Sequence, residues 1–188
     1  MKTTFLYYKS IFTVAEIRLL DYLSCVPDFP KSGVMFRDIS PLIGDSQAFK
    51  FAISKFADYA NQSEFTHILA IESRGFIFAS ALAITMGKPL LLARKPNKLP
   101  LVSHRQSYGL EYGQDALEIQ AHIIPLQAKV LMIDDIVATG GTLLAAAELL
   151  RQAKVDIAGA LSLLEIADLA GNSRISGNGI PAYSILSV

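Results

Sequence analysis

The chain has 188 residues, 52% of them hydrophobic and 18% charged, which suits one ordinary domain and excludes a disordered one. Lys and Arg number 17, as do Asp and Glu, so no net positive charge drives nonspecific nucleic-acid binding. Cys25 is the single cysteine; it excludes a disulfide within the chain, fits a reducing cytosol and reads as a small buried apolar side chain.

The first residues carry apolar patches (Phe5 to Tyr8, Ile11, Phe12) interrupted by Lys9, Glu16 and Arg18. Such a stretch makes a poor signal peptide. No run approaches the ~18 apolar residues of a membrane span, so a soluble, cytoplasmic protein with no membrane partner is expected. Apolar spacing predicts a helix over 13–25, stopped by Pro27 and Pro30. Asp45 is placed to cap a second helix over 46–60, with Phe49, Ala52, Ile53 and Phe56 on one face. His67 to Ile71 reads as a buried strand, 75–86 as a small-residue helix, and 89–93 as another strand.

Residues 95–114 are polar and punctuated by Gly and Pro, and read as a long mobile loop. Val130 to Ile133 is a second buried strand, followed by a helix over 142–152 and strands over 155–164 and 184–188. Strands alternating with helices imply an α/β fold with a mainly parallel sheet flanked by helices. Nothing divides the chain into two domains: residues 1–27 read as an N-terminal extension and helix, and 28–188 as the body of a single domain.

The segment from Val130 to Thr142, VLMIDDIVATGGT, carries the most specific chemistry. A hydrophobic strand delivers Asp134 and Asp135 to its carboxyl end, where open α/β sheets bind ligands. Ala138, Thr139, Gly140, Gly141 and Thr142 then make a small-residue turn at a helix N-terminus. Exposed N–H groups and the helix dipole, about half a charge, favour a phosphate there. No Lys follows the glycines, so this is not a Walker loop and NTP hydrolysis is disfavoured. Two carboxylates beside an anion cradle make sense when the ligand sets hydroxyls or a magnesium ion over them, as a ribose 5-phosphate does. His67, His104 and His122 are scattered without a metal-ligand spacing, so no direct protein metal site is expected.

This segment resembles the signature of the type I phosphoribosyltransferases, and three further segments resemble the adenine-specific branch of that family. They are Asp28 to Pro41 (DFPKSGVMFRDISP), Glu72-Ser-Arg-Gly75, and the two ends of the polar loop, Arg94 to Lys98 and Tyr108 to Gly113. The resemblance covers residues 28–169 and implies the family fold, with a small hood and a mobile loop. It implies transfer of phosphoribosyl from phosphoribosyl pyrophosphate to adenine N9, giving AMP and pyrophosphate in purine salvage. It assigns the ribose hydroxyls to Asp134 and Asp135, the 5-phosphate to Ala138–Thr142, and pyrophosphate to Arg74, Arg94, Lys95 and Lys98. Adenine falls to the backbone of Met35 and Arg37 and the ring of Phe36, with Glu111 reaching N7. Mg²⁺, bound mainly through substrate oxygens, and a homodimer are implied as well. Ala70 stands where the branch commonly has Gly. A nucleotide-sensing regulator on the same fold is the reading from another class; the chain lacks the extra domain or basic surface such a regulator needs.

Overall fold

The computed structural model describes residues 17–102, 104–110 and 113–188. In chain order, a 3-10 turn Leu19–Tyr22 leads to β1 (Ser24–Pro27), β2 (Met35–Asp38), α1 (Ser40–Gly44), α2 (Ser46–Ala60), β3 (His67–Ile71), α3 (Gly75–Met86) and β4 (Leu90–Ala93). Then come β5 (His104–Leu110), β6 (Gly113–Ile119), β7 (Lys129–Val137), α4 (Gly141–Gln152), β8 (Asp156–Glu165), α5 (Gly171–Gly177) and β9 (Ala182–Ser187).

Among the described residues, a five-stranded sheet runs in the order β4-β3-β7-β8-β9, parallel throughout. Strand β7 is its centre and is buried over nearly its whole length, the continuous apolar run that a doubly covered parallel strand requires. Its alternation sorts the core: Leu131 and Ile133 face α2 and α3, while Val130 and Met132 face α4. On α4, Leu143, Leu149 and Leu150 are almost wholly buried, each stabilising the layer by about 1.5–3 kcal/mol at most. Helix α2 starts where the sequence places it: Asp45 Oδ1 accepts from the amides of Gln47 and Ala48 at 2.9 Å each, a cap worth ~1 kcal/mol.

Three sequence expectations change. Within 17–25, the described part of the first expected helix, there is only the 3-10 turn, and Ser24–Pro27 is a strand paired with β2. Val26 precedes a proline, which disfavours the helical conformation, and β2 offers antiparallel partners instead. Cys25 is exposed rather than buried. From His104 on, the expected loop is replaced by a hairpin, with β5 paired to β6 from His104↔Ile119 to Leu110↔Gly113; residues 103, 111 and 112 lie outside the described residues.

The sheet also makes a step. The β3–β7 ladder ends at Ala70↔Ile133, whereas the β7–β8 ladder continues to Val137↔Glu165. Past Ile133, the N-terminus of α3 takes β3's place beside β7. A Cβ on Gly75 would lie 2.8 Å from Ile133 O and 3.0 Å from Asp134 Cα, so only glycine allows this approach. Gly75→Ala should therefore cost about 1–3 kcal/mol by overpacking, read as a lower urea midpoint at unchanged m-value. An unchanged midpoint would mean that α3 can back away freely.

Candidate active site

The step leaves Asp134 and Asp135 inside a strand that has lost one neighbour, not strictly at its end. Asp134 pairs with Ser162 of β8 and its side chain walls a cavity of about 470 Å³. Asp135 lies on the other side of the strand, where Arg74 Nε meets its Oδ2 at 2.8 Å. Both aspartates are buried, 7% and 6% exposed. Burial pushes the Asp134 carboxyl well above the usual carboxylate range, and the charge of Asp135 next door pushes it the same way. The amide of Asp135 and the guanidinium of Arg74 oppose that rise without cancelling it.

The same cavity is walled by Arg74, Pro30 and the turn Ala138–Thr142. Gly140 holds φ +76°, a left-handed conformation natural to glycine, and α4 begins at the next residue. Its free N-terminal amides make the turn a ready anion site. Beside it, the guanidinium of Arg74 stacks 5.2 Å from the ring centroid of Phe36, itself edge-on to Phe29 at 5.0 Å. Met35 is 53% exposed, and Arg37 Nη1 donates to Cys25 Sγ. Among the described strands, β2 pairs only with β1, so its other edge presents backbone donors and acceptors.

The remaining cationic candidates form a second cluster. Arg94 grips Glu72 with Nε and Nη2, each at 3.2 Å, and the amide of Lys95 donates to the same carboxylate at 2.6 Å. Burial raises the Glu72 carboxyl, but Arg94 and the Lys95 amide outweigh it and hold it below the usual range. The Lys95 ammonium meets Asp115 Oδ2 at 2.7 Å, which raises the lysine. Lys98 is exposed, and its carbonyl accepts from Arg94 Nη1 at 3.3 Å. Glu111 lies outside the described residues. His67 serves structure, its Nδ1 2.8 Å from the Thr66 hydroxyl.

Glu72 and Tyr108 stood in quoted motifs without a role of their own, and sequence reasoning missed Asp115 and Arg174. Tyr108 is hydrogen-bonded to the Thr142 side chain, and its burial raises the phenol. Tyr108 and Asp115 stand opposite one another in the β5–β6 ladder, a pairing that the sequence of β5, HRQSYGL, does not announce. Among the described residues no group of three or more His, Cys, Asp or Glu could hold a metal ion. Asp134 at the cavity wall nonetheless suits Mg²⁺, which commonly takes one or two carboxylates and completes its shell with water and phosphate oxygens.

The phosphoribosyl transferase domain family matches residues 42–176. The adenine phosphoribosyltransferase of Polynucleobacter asymbioticus is 57% identical over 170 residues, 90% of this chain and 99% of that protein. Among solved structures, adenine phosphoribosyltransferase from Thermoanaerobacter pseudethanolicus superposes with a TM-score of 0.85 at 35% identity, covering 90% of this chain and 98% of that one. The Saccharomyces cerevisiae enzyme, solved with an imino-altritol bisphosphate and adenine, gives 0.83 at 32% identity, covering 89% and 96%. The chain belongs to the phosphoribosyl transferase family, in its adenine phosphoribosyltransferase branch.

The raised Asp134 carboxyl has a stability consequence. The folded chain binds a proton there more tightly than the unfolded chain. Stability from this group is therefore full below the ordinary carboxylate range and is lost as pH rises through the native value. Asp134→Asn should melt higher than the parent at neutral pH, with the gap closing on acidification, in calorimetric scans from about pH 4 to about pH 8. An equal or lower melting temperature at neutral pH would mean that Arg74 fully compensates the charge.

Proposed function

We propose that this chain transfers phosphoribosyl from phosphoribosyl pyrophosphate to adenine, with Ala138–Thr142 holding the 5-phosphate and Asp134 and Asp135 the ribose hydroxyls. The observation that carries this is the sharing of one cavity wall by an amide-rich turn, a buried carboxylate and a guanidinium. Two crowded carboxylates are short of donors, and ribose supplies two hydroxyls that donate. The turn and Arg74 are matched to phosphate groups.

Adenine N9 attacks ribose C1 as the C1–O bond to pyrophosphate breaks and the leaving oxygen takes the electron pair; N9 then gives up its proton to water. Arg74 steadies the departing pyrophosphate, joined by Arg94, Lys95 and Lys98 of the second cluster. Phe36 stacks on the base, and the backbone of Met35 and Arg37 on the open edge of β2 reads its N6 and N1. Glu111 meets N7, as in the sequence reading. When bound, Mg²⁺ would neutralise pyrophosphate charge, held mainly through substrate oxygens, with Asp134 as the carboxylate on that cavity wall.

The enzyme works as a cytoplasmic homodimer. Exposed Ile77 and Ile84 on α3 and Leu90 and Leu92 on the edge strand β4 support an apolar contact between copies, and sedimentation tests it. Among the described residues no helix is long and apolar enough to cross a membrane.

In an ultraviolet assay with phosphoribosyl pyrophosphate and magnesium, adenine should turn over far faster than hypoxanthine. Replacing N6–H₂ with O6 sets acceptor against acceptor, at ~1–3 kcal/mol for each unpaired buried group. Comparable hypoxanthine turnover would overturn the adenine reading. Asp134→Asn should lose about 10²-fold or more in kcat/KM while folding normally; near-parental activity would remove the ribose assignment.

A further inference from the structure

The phosphate turn has a rear wall built by α5, a helix outside the segments that carry the resemblance. Gly171 sits so close to the turn that a Cβ there would lie 2.2 Å from Ala138 O, 2.4 Å from Val137 Cγ1 and 3.0 Å from Gly140 N. One helical turn later, Arg174 Nη1 donates to Thr139 O at 3.2 Å. Two consecutive carbonyls of the turn, on Ala138 and Thr139, thus face α5. Neither following peptide bond is cis, and in a planar trans peptide the N–H points opposite to the C=O. The amides of Thr139 and Gly140 are consequently turned away from α5.

The wall is itself anchored. The amide of Asn172 donates to Glu165 Oε1 and its Nδ2 to Glu165 Oε2, both at 2.9 Å. Nδ2 also reaches Ser184 Oγ at 2.9 Å, and Ser184 bonds Ser162, the residue paired with Asp134 across β7 and β8. A polar chain therefore runs from β8, the neighbour of the strand carrying the aspartates, to the helix behind the turn. Arg174 also borders, with Thr139, Gly141 and Glu148, a neighbouring cavity of about 500 Å³.

We propose that Gly171 and Arg174 are positioning residues for the 5-phosphate: they hold the Ala138 and Thr139 carbonyls back, so that consecutive amides stay presented to the anion. This rests on the reading of Ala138–Thr142 as the phosphate turn. Arg174 is exposed, so replacing it tests the idea without disturbing the core.

The experiment compares Arg174→Ala, Arg174→Lys and Thr142→Ala in steady-state kinetics and thermal melts. Arg174→Ala should raise KM for phosphoribosyl pyrophosphate about tenfold, leaving KM for adenine, kcat and the melting temperature near parental values. Arg174→Lys, which can still donate to Thr139 O, should recover most of the loss. Gly171→Ala should act in the same direction and more strongly, if it folds. Thr142→Ala reports on the turn itself. Should Thr142→Ala leave KM for phosphoribosyl pyrophosphate unchanged, the phosphate reading fails and this inference falls with it. Should Thr142→Ala raise it while Arg174→Ala does not, only the positioning role is wrong. A uniform loss with a lowered melting temperature, not recovered by Lys, would likewise reduce Arg174 to a structural contact.

Discussion

Two neighbouring carboxylates, buried on either side of one strand with a single guanidinium against one of them, are the constraint on which the site depends. Taking both from water is costly, and their mutual repulsion adds to it. The backbone makes the arrangement possible. Strand β3 stops at the level of Ile133, and Gly75 lets α3 close in on the exposed edge of β7. That approach sets Arg74 beside Asp135. Asp134, on the opposite side, has only the amide of Asp135 at 2.8 Å and the more distant Arg74 to offset its burial. A carboxylate so placed is unfavourable to fold and favourable to use, because a hydroxyl-bearing ligand brings the donors it lacks.

The site divides its ligand by chemistry. In the proposed assignment hydroxyls go to carboxylates, while phosphates go to backbone amides and cations, so that no net positive charge is needed to bind a polyanion. The basic residues of the second cluster follow the same logic. Glu72 and Asp115 hold Arg94 and Lys95 in fixed places, which removes much of the entropy cost of ordering long side chains. Glu72 stands two residues before Arg74, so one carboxylate links the β4 loop to the guanidinium at the cavity. If pyrophosphate is the ligand of this cluster, as proposed, it offers more negative charge than either carboxylate and meets cations that are already assembled.

What was legible in the sequence is what period and capping control. The runs at 67–71 and 130–133 are buried on both faces, and Asp45 caps α2 because the Asx side chain reaches its first amides whatever lies around it. The hairpin was not legible. Its outer strand, HRQSYGL, has no apolar alternation, and its place is set by tertiary contacts such as Gln152 to Gln106 at 3.1 Å. Helix α5, GNSRISG, is equally silent: it is rich in poor helix formers and depends on Glu165 for its start. The site followed the same rule. Residues in contiguous motifs, Asp134, Asp135, Arg74 and the turn, come together, whereas partners supplied from elsewhere in the fold, Asp115 and Arg174, had no local signal.

The hairpin matters because it touches both halves of the site through one rung. Tyr108 and Asp115 are direct cross-strand partners, close enough for their side chains to share a face. Tyr108 bonds Thr142 in the phosphate turn, and Asp115 bonds Lys95 in the second cluster. A Cβ on Gly141 would lie 3.1 Å from Gly109 O, so the arm rests directly on the turn. Two paired strands shift as a body more readily than residue by residue, since bending one strand alone breaks its ladder. A shift of the whole hairpin that carries Tyr108 away from Thr142 therefore also moves Asp115 against Lys95. Under the proposed assignment, the turn read as the phosphate site and the lysine read as a pyrophosphate contact are in this way linked through a single pair of residues.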